Sequence, residues 1–405
     1  MTPPKPRLPE PGDVVELTVG EVANGGWCVA RTDAGPVVFV RHALPGERVR
    51  AVITQTTSRF ARADAAQILD ASADRIPPPC PYARPGGCGG CDWQHAALPA
   101  QRALKAAVIG QQLRRIAGID RDVTVEPMPG DETGLGWRTR VKFAVTRGGA
   151  AGLRRHRSHE VMEIGDCLIA HPLVETAAVT GRRWPGAASV EVAVAPGSGE
   201  RALVVSGRKA AGHDPAHLRQ RAAGRDWRVS ATGFWQVHPA AADTLAAAVL
   251  DALRPRPGDV ALDVYCGAGL FAGVLADAVG PSGTVIGIEA DAAAVPDARH
   301  NLRGTPWARV YRGDAAALLE RSAREGATLA VVDPPRTGLD RKVVDLLSGP
   351  GQLRRIAYVS CDPATLARDI GVFGASGWEL EALRAFDAFP MTHHVECLAT
   401  LTRDW

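Results

Sequence analysis

The sequence predicts a chain of the α/β class: a doubly wound parallel sheet over residues 236–405, preceded by a small β-barrel over 1–72 and an α+β segment over 73–235. Three observations carry this. From Gln236 onward, short apolar runs alternate with helical stretches, the texture of strand–helix–strand units. Between Gly12 and Ile68 several short strands are punctuated by Gly, Asp and Pro, which suits a small barrel of the oligonucleotide-binding kind. Between these parts, Cys80, Cys88 and Cys91 fall together in a Gly-rich loop that follows Pro77, Pro78 and Pro79.

A chain of 405 residues has ample length for two or three domains. Its 46% hydrophobic and 22% charged content is that of an ordinary soluble protein. The apolar runs are too short to span a bilayer, and the Pro-rich stretch from Met1 to Pro11 lacks an apolar signal core. Both point to the cytoplasm, with no membrane partner, and no obligate protein partner is evident. In that compartment eight cysteines speak for metal or catalytic use rather than disulfides. The net charge of +3 decides nothing, but its distribution does. Arg138, Arg140, Lys142, Arg147, Arg154, Arg155 and Arg157 come without an acidic residue among them, and His156 and His159 stand beside them. Such a cluster suits phosphate contact. The bland alternative is a solvated basic face balanced by acids from elsewhere.

Taken in order, the barrel strands are expected at Val14–Val19, Trp27–Ala30, Val37–Val40 and Glu47–Ile53, with Arg48, Arg50, Arg59 and Arg62 giving a basic side. A barrel without any ligand fits the same pattern. In the cysteine loop, Cys88 and Cys91 are spaced C-x2-C, and the glycines let backbone approach an inorganic centre and offer it N–H groups. A fourth ligand is required, and Cys167 is the nearest downstream candidate. An iron–sulfur cluster and a structural zinc both suit four thiolates. One amphipathic helix is expected over Ala96–Ala117, then β-like alternation over Trp137–Leu168, then a mixture of strands and turns up to Trp227. The parallel sheet should use Val260–Cys266, Thr284–Glu289, Arg309–Tyr311, Leu329–Asp333 and Ile356–Ser360, with a last strand over Cys397–Thr402.

The sheet's carboxyl edge is where ligands sit in such folds. Asp263-Val-Tyr265-Cys-Gly267-Ala-Gly269 follows a strand and opens a helix, whose N-terminus favours a negative group. Glu289 ends the next strand, where a carboxylate takes both hydroxyls of a ribose, and Asp314 closes the third within reach of an adenine amino group. A glycine loop alone also suits NAD, with Ala272 in the slot of its third glycine. The Asp333-Pro-Pro-Arg336 run on the fourth strand makes S-adenosylmethionine the better fit. Enzymes that methylate exocyclic amines usually place an aromatic residue after those prolines, and 5-methylcytosine enzymes a cysteine. Arg336 fits neither. The remaining nucleophile is Cys361, at the end of the fifth strand. A carbon such as C5 of uracil needs a thiolate added at C6 before it attacks a methyl sulfonium, and a base to remove its proton afterwards. Glu396 is the candidate base. Cys361 as a small buried hydrophobe is the competing reading, and His393 and His394 compete with Glu396, although paired loop histidines are more often solvent-facing or structural. Cys266 and Cys397 are assigned to packing.

These residues together resemble the RNA 5-methyluridine methyltransferases, the uracil-C5 enzymes of 23S ribosomal RNA and of transfer RNA, over nearly the full length. The resemblance implies a TRAM-like barrel that binds RNA, a central part with a four-iron four-sulfur cluster on Cys80, Cys88, Cys91 and Cys167, and a Rossmann-like methyltransferase part. It implies cofactor contacts from Gln236, Asp263, Tyr265, Gly267, Gly269, Glu289, Asp314 and Asp333, with Gln236 on the methionine portion. Ser360-Cys361-Asp362-Pro363 is similar to the family's nucleophile motif and His394-Val395-Glu396-Cys397 to its base motif. Arg138, Arg140, Lys142, Arg154, Arg155 and Arg336 are the expected RNA contacts. Leu270 stands where some relatives have a polar cofactor contact, so none is expected there. The TRAM-like barrel with the cluster favours 23S ribosomal RNA over transfer RNA. An RNA-binding protein with a residual cofactor fold is the alternative from another class, and the presence of both Cys361 and Glu396 speaks against it. A radical enzyme is disfavoured because C-x7-C-x2-C lacks a close cysteine triplet.

Overall fold

The computed structural model describes residues 8–32, 35–206, 216–323 and 326–403, so the first residues of the Pro-rich N-terminus lie outside the described residues. Five strands, β1 (Val14–Ala23), β2 (Trp27–Arg31), β3 (Val37–Arg41), β4 (Arg48–Thr56) and β5 (Phe60–Asp70), close a barrel in the order β1-β2-β3-β5-β4. The fifth strand has no apolar run to announce it; its alanines Ala61, Ala63 and Ala65 alternate into the core, while Arg62 and Gln67 face away.

Helix α1 (Leu98–Gln112) follows the cysteine loop, opened by Pro99 in its first turn, and relaxes into a wider π turn over Leu113–Ala117 before Gly118. The expected single helix is therefore shorter and its last turn is wound differently. The helix bridges two cores. Leu104 and Val108 pack into the barrel, and Ile109 packs under the parallel sheet. Between them Lys105 is fully buried, bonded to the Asp387 carboxylate at 2.5 Å and to the Phe389 carbonyl at 3.0 Å. Removing one member of such a pair costs about 3–5 kcal/mol, because the other charge is left buried.

After the short β6 (Val125–Glu126), a five-stranded sheet runs β11-β10-β7-β8-β9, made of β7 (Arg140–Val145), β8 (Ala151–Arg154), β9 (Val161–Glu163), β10 (Ser189–Ala195) and β11 (Glu200–Ser206), with the short α2 (Pro172–Glu175) beside it. A hairpin of β12 (His217–Ala222) and β13 (Arg225–Ser230) leads to α3 (Ala241–Leu253).

The C-terminal sheet is ordered β16-β15-β14-β17-β18-β20-β19-β6. Its strands are β14 (Val260–Val264), β15 (Thr284–Glu289), β16 (Ala308–Arg312), β17 (Leu329–Val332), β18 (Arg355–Ser360), β19 (Glu379–Phe386) and β20 (Glu396–Thr402), with α4 (Leu270–Val279), α5 (Val295–Asn301), α6 (Ala315–Leu318), α7 (Arg341–Ser348) and α8 (Pro363–Gly374) in the connections. Strands β14 to β18 pair in parallel and β20 antiparallel. Both faces are apolar. Ala261, Val331 and Val359 pack against α3 and α4, while Leu262, Val264, Ala330, Val332 and Tyr358 pack against α1, α7 and α8. Strand β19 was not expected; most of its outward residues, Glu379 and Glu381 among them, are polar and exposed, so no continuous apolar run marks it. No helix among the described residues is long and apolar enough to cross a membrane.

Candidate active site

The order β16-β15-β14-β17-β18 sends the chain to opposite sides of the sheet on either side of β14, and a crevice opens at the carboxyl ends there. A cavity of about 930 Å³ fills it. One wall is the loop after β14, the end of β15 and the run Asp333–Arg336. The facing wall comes from Gly89, Gly90 and Asp92 of the cysteine loop, from Trp137, Arg138 and His156, and from Phe389 and Thr392–His394.

The strand-edge wall is built largely from backbone. Tyr265 sits in the left-handed region at φ 71°, which ends β14 two residues earlier than expected and turns the loop across the sheet edge. Glu289 braces that loop, its carboxylate accepting from Gly267 N–H at 2.8 Å and Asp291 N–H at 2.7 Å. Gln236, Tyr265, Gly267, Glu289 and Asp333 line the cavity, as does Phe234, two-thirds exposed at 66%. Three of the expected cofactor residues do not. Asp263 lies beneath the loop, accepts from Ala272 N–H at 2.6 Å, and is pushed by burial up to about 8; its Oδ1 has no partner among the described residues. Gly269 is the N-cap of α4. Asp314 is exposed and caps α6 by accepting from Ala317 N–H at 2.9 Å. Asp291 and Asp297, which do line the cavity, went unanticipated. Asp297 is held by Ser230 N–H and hydroxyl, each at 2.6 Å, and by Arg228 at 3.2 Å. Those partners sit on a hairpin some seventy residues upstream, so no local pattern announces the contact.

The chemistry concentrates where β18 and β20 meet. Because β20 is antiparallel and Ser360 pairs with Cys397, the first residue of β20 lies at the same edge as the residue after β18. Glu396 and Cys361 thus both line the cavity, with Asp333 and Arg336 beside them. Burial pushes the Cys361 thiol up to about 11; nearby Glu396 raises it further and Arg336 opposes. Burial and then the neighbouring Asp333 hold the Glu396 carboxyl well above the usual range, again opposed by Arg336. Desolvation raises Asp333 to about 7. A thiol and a carboxyl in their neutral forms, facing one cavity beside a single cation, are set to ionise when positive charge arrives. Cys361 is half-buried in the wall, unlike Cys266 and Cys397, which are packed in the core as expected.

The histidines are not solvent-facing. His393 pairs with Asp92 at 2.6 Å through Nδ1, and His394 stands 4.0 Å from it, ring centre to ring centre, and 3.5 Å from Arg336. Burial, and then His393 and Arg336, push His394 down to about 3, so it is neutral. Trp137 Nε1 and His156 Nε2, in residues of the wall, are buried without a partner among the described residues.

Cys80, Cys88, Cys91 and Cys167 line a second, smaller cavity together. Gly90 N–H points at Cys88 Sγ at 3.4 Å and the Gln94 amide at Cys91 Sγ at 3.1 Å. Gly89 is required there: a Cβ would lie 2.7 Å from His156 Cα, so only glycine admits that strand segment. As placed, no group of three or more Cys, His, Asp or Glu side chains among the described residues is drawn into a metal-holding geometry. The donor chemistry of four sulfurs on one cavity fits an all-thiolate centre; the spacing of the side chains is not that of a closed one.

The basic cluster divides. Lys142 and Arg154 are exposed. Arg138 lies between both cavities, its Nε donating to the Arg140 carbonyl at 3.1 Å. Arg155 is taken by Glu160 at 2.8 Å and by the Gly86 carbonyl. The RNA-facing role expected of Arg140 is corrected: its guanidinium is bound by Glu191 at 2.6 Å and by the carbonyls of Ala231 at 2.9 Å and Gly233 at 2.7 Å. It fastens β7 to the segment that carries Phe234 and Gln236. Arg336 is exposed at the cavity mouth.

Comparison with known proteins places these features. A family model described as tRNA (Uracil-5-)-methyltransferase matches residues 325–404, one described as TRAM domain matches 10–66, and one described as Protein-L-isoaspartate(D-aspartate) O-methyltransferase matches 233–315. The chain is 50% identical to an uncharacterized RNA methyltransferase of Streptomyces avermitilis, covering 96% of this chain and 98% of that one. It is 32% identical to the 23S rRNA (uracil(1939)-C(5))-methyltransferase RlmD of Acidithiobacillus ferrooxidans, covering 96% and 97%. The crystal structure of Pyrococcus abyssi tRNA (uracil-54, C5)-methyltransferase in complex with S-adenosyl-L-homocysteine matches with a TM-score of 0.71 over 95% of this chain and 99% of that one. At 20% identity that last likeness speaks for the fold.

Proposed function

The chain belongs to the RNA uracil-C5 methyltransferase family, and on that premise we propose that it methylates C5 of one uridine in RNA, 23S ribosomal RNA before transfer RNA, with Cys361 as nucleophile and Glu396 as base. The observation that carries the proposal is the shared edge of β18 and β20, which sets a thiol and a carboxyl against one cavity beside a pair of prolines and an arginine.

In this reading the target base leaves its stack to enter the cavity. Gln236, Tyr265, Gly267, Glu289 and Asp333 would hold S-adenosylmethionine. When bound, it supplies an electrophilic methyl group and a positive charge beside Cys361 and Glu396. The Cys361 thiolate adds to C6 of the uracil, forming a C–S bond and moving the electron pair to C5 and the O4 enolate. Once C5 carries the methyl group, the Glu396 carboxylate takes the C5 proton, the C5–C6 double bond re-forms and the thiolate leaves. Arg336 opposes both upward shifts and so favours both reactive anions.

Cys80, Cys88, Cys91 and Cys167 would hold a four-iron four-sulfur cluster that organises the central part and performs no redox step. The barrel and the exposed Lys142 and Arg154 would add backbone affinity for RNA, and the work would be done in the cytoplasm. The test is mass spectrometry of ribosomal and transfer RNA from cells lacking the protein, mapped by position. Loss of 5-methyluridine at one ribosomal position is expected. An unchanged 5-methyluridine map with another methylated base missing refutes the acceptor atom, and loss confined to transfer RNA refutes the substrate.

A further inference from the structure

The loop between β19 and β20 delivers Glu396 to the cavity, and the cysteine loop grips it from the side. The Met391 carbonyl accepts from Asp92 N–H at 2.9 Å and from Trp93 N–H at 3.1 Å. The Asp92 carboxylate accepts from His393 backbone N–H at 3.1 Å and stands 2.6 Å from its Nδ1. Its other oxygen faces the buried Arg41 of the barrel at 3.4 Å. The barrel turn between β1 and β2 closes on the same place: Gly26, at φ 81°, is seated so that a Cβ would lie 3.1 Å from Asp92 Cβ and 3.2 Å from His393 Cβ. The loop needs such support. Met391 is in the left-handed region at φ 66°, a conformation a methionine does not adopt unaided, and Gln101 holds its N–H at 2.8 Å from the opposite side.

We propose that Asp92 is a positioning residue for the methyl transfer: by fixing His393 and Met391 it sets the path of residues 390–395, and so the direction from which Glu396 meets the acceptor ring. The inference rests on the proposed reaction and adds a task for the cysteine loop, which reaches the base through one carboxylate and two backbone N–H groups. Asp92 touches no reacting atom in this scheme. Its effect falls on the second half-reaction, after the thiolate has added, because Cys361 hangs from β18 and not from this loop.

The test uses the full-length protein and an RNA substrate with Asp92→Ala, His393→Ala and the double variant. Asp92→Ala is expected to lower kcat by about 100-fold, the effect of misplacing a reacting group by roughly an ångström. KM for RNA should stay within about twofold, and a denaturation-resistant RNA adduct should accumulate. The double variant should fall no further than the worse single one, since both break one contact. Effects that multiply, or a raised KM with unchanged kcat and no adduct, overturn the role. Should Asp92→Ala fail to fold, Asp92→Asn keeps the shape and one acceptor; adduct accumulation in that variant supports the role and wild-type partitioning overturns it. A wild-type protein that neither forms an adduct nor methylates C5 refutes the proposed reaction instead, a result separable from these.

Discussion

The two walls of the cavity are made in different ways. The donor-facing wall comes mainly from one run of chain, Val260 to Asp333, in which the ends of β14, β15 and β17 contribute groups at a spacing fixed by the strand–helix repeat, with Phe234 and Gln236 added from just upstream. The acceptor-facing wall gathers the cysteine loop, Trp137, His156 and the loop before β20, segments separated by up to three hundred residues and held by side-chain bonds such as Asp92 to His393. A backbone-built wall is set by fold and tolerates change in its side chains. A wall built from side chains depends on each bond. That difference predicts where substitutions act sharply and where they are absorbed.

The largest effects should fall where the walls meet. Cys361→Ala should lower methyl transfer by about 10⁴-fold or more and abolish covalent capture of RNA, because among the described residues no other thiol lines the cavity. Glu396→Gln should lower turnover by about 10²- to 10⁴-fold while leaving the adduct to accumulate, as addition at C6 does not need this carboxylate. Denaturing gel electrophoresis of labelled RNA with each variant separates the two; free turnover by Glu396→Gln removes it as base.

The pH profile comes next. Cys361 is raised to about 11 and Glu396 also stands above its ordinary range, and each reacts as its anion. Below those values the reactive fraction grows as protons leave, so kcat/KM should rise by at least about tenfold per unit between roughly pH 6 and 9. Arg336→Gln removes the cation that opposes both shifts and should displace the profile toward higher pH. A profile that is flat or falls over that range means the groups ionise otherwise in the working enzyme.

The same contrast explains what was legible in the sequence. Short continuous apolar runs marked β14, β15, β17 and β18 to within two residues, and with them Glu289, Asp333 and Cys361, because a buried parallel strand must be apolar and must stop where it turns polar. Strand β19 escaped because Glu379, Glu381 and Arg384 interrupt its apolar residues, so no continuous run marks it. Asp314 was placed on the cofactor by its position after the third strand, yet that position is also where an N-cap belongs, and capping is what it does here. Asp92, Asp297 and Trp137 carry no local pattern at all; their places follow from contacts across long stretches of chain. Of the Arg138–Arg157 cluster, Arg140 and Lys142 stand two apart on β7 and share one face; what separates them is the partner each meets, since Glu191 and the carbonyls of Ala231 and Gly233 draw Arg140 in while Lys142 reaches solvent.

On the donor side, Glu289→Gln against Asp314→Asn tests whether lining the cavity is what counts. Glu289 braces Gly267 and faces the cavity, so its loss of charge should weaken S-adenosylmethionine binding by about tenfold, a change of about 1.4 kcal/mol. Asp314→Asn keeps a helix cap of nearly equal quality and should change binding by less than about threefold. Calorimetric titration reads both. Equal losses would mean that Asp314 turns into the cavity when the cofactor is bound.

The smallest effects separate the two kinds of arginine and lysine on the acceptor side. Lys142→Gln removes an exposed charge with no ion pair among the described residues, so stability should change by less than about 0.5 kcal/mol. If it meets a phosphate, the slope of log affinity against log salt should fall by about 0.7 to 0.9, with a few-fold weaker binding at moderate salt. Arg140→Gln removes three internal bonds and strands the half-buried Glu191, which should lower the melting temperature by several degrees through a loss of about 1.5–3 kcal/mol. Its salt slope should match the wild type, because its charge is spent inside. Thermal melts and filter binding over a salt series read the pair. A shifted slope with an unchanged melt for Arg140→Gln would return that side chain to the RNA face, and would mean that the segment carrying Phe234 and Gln236 is fastened by something other than β7.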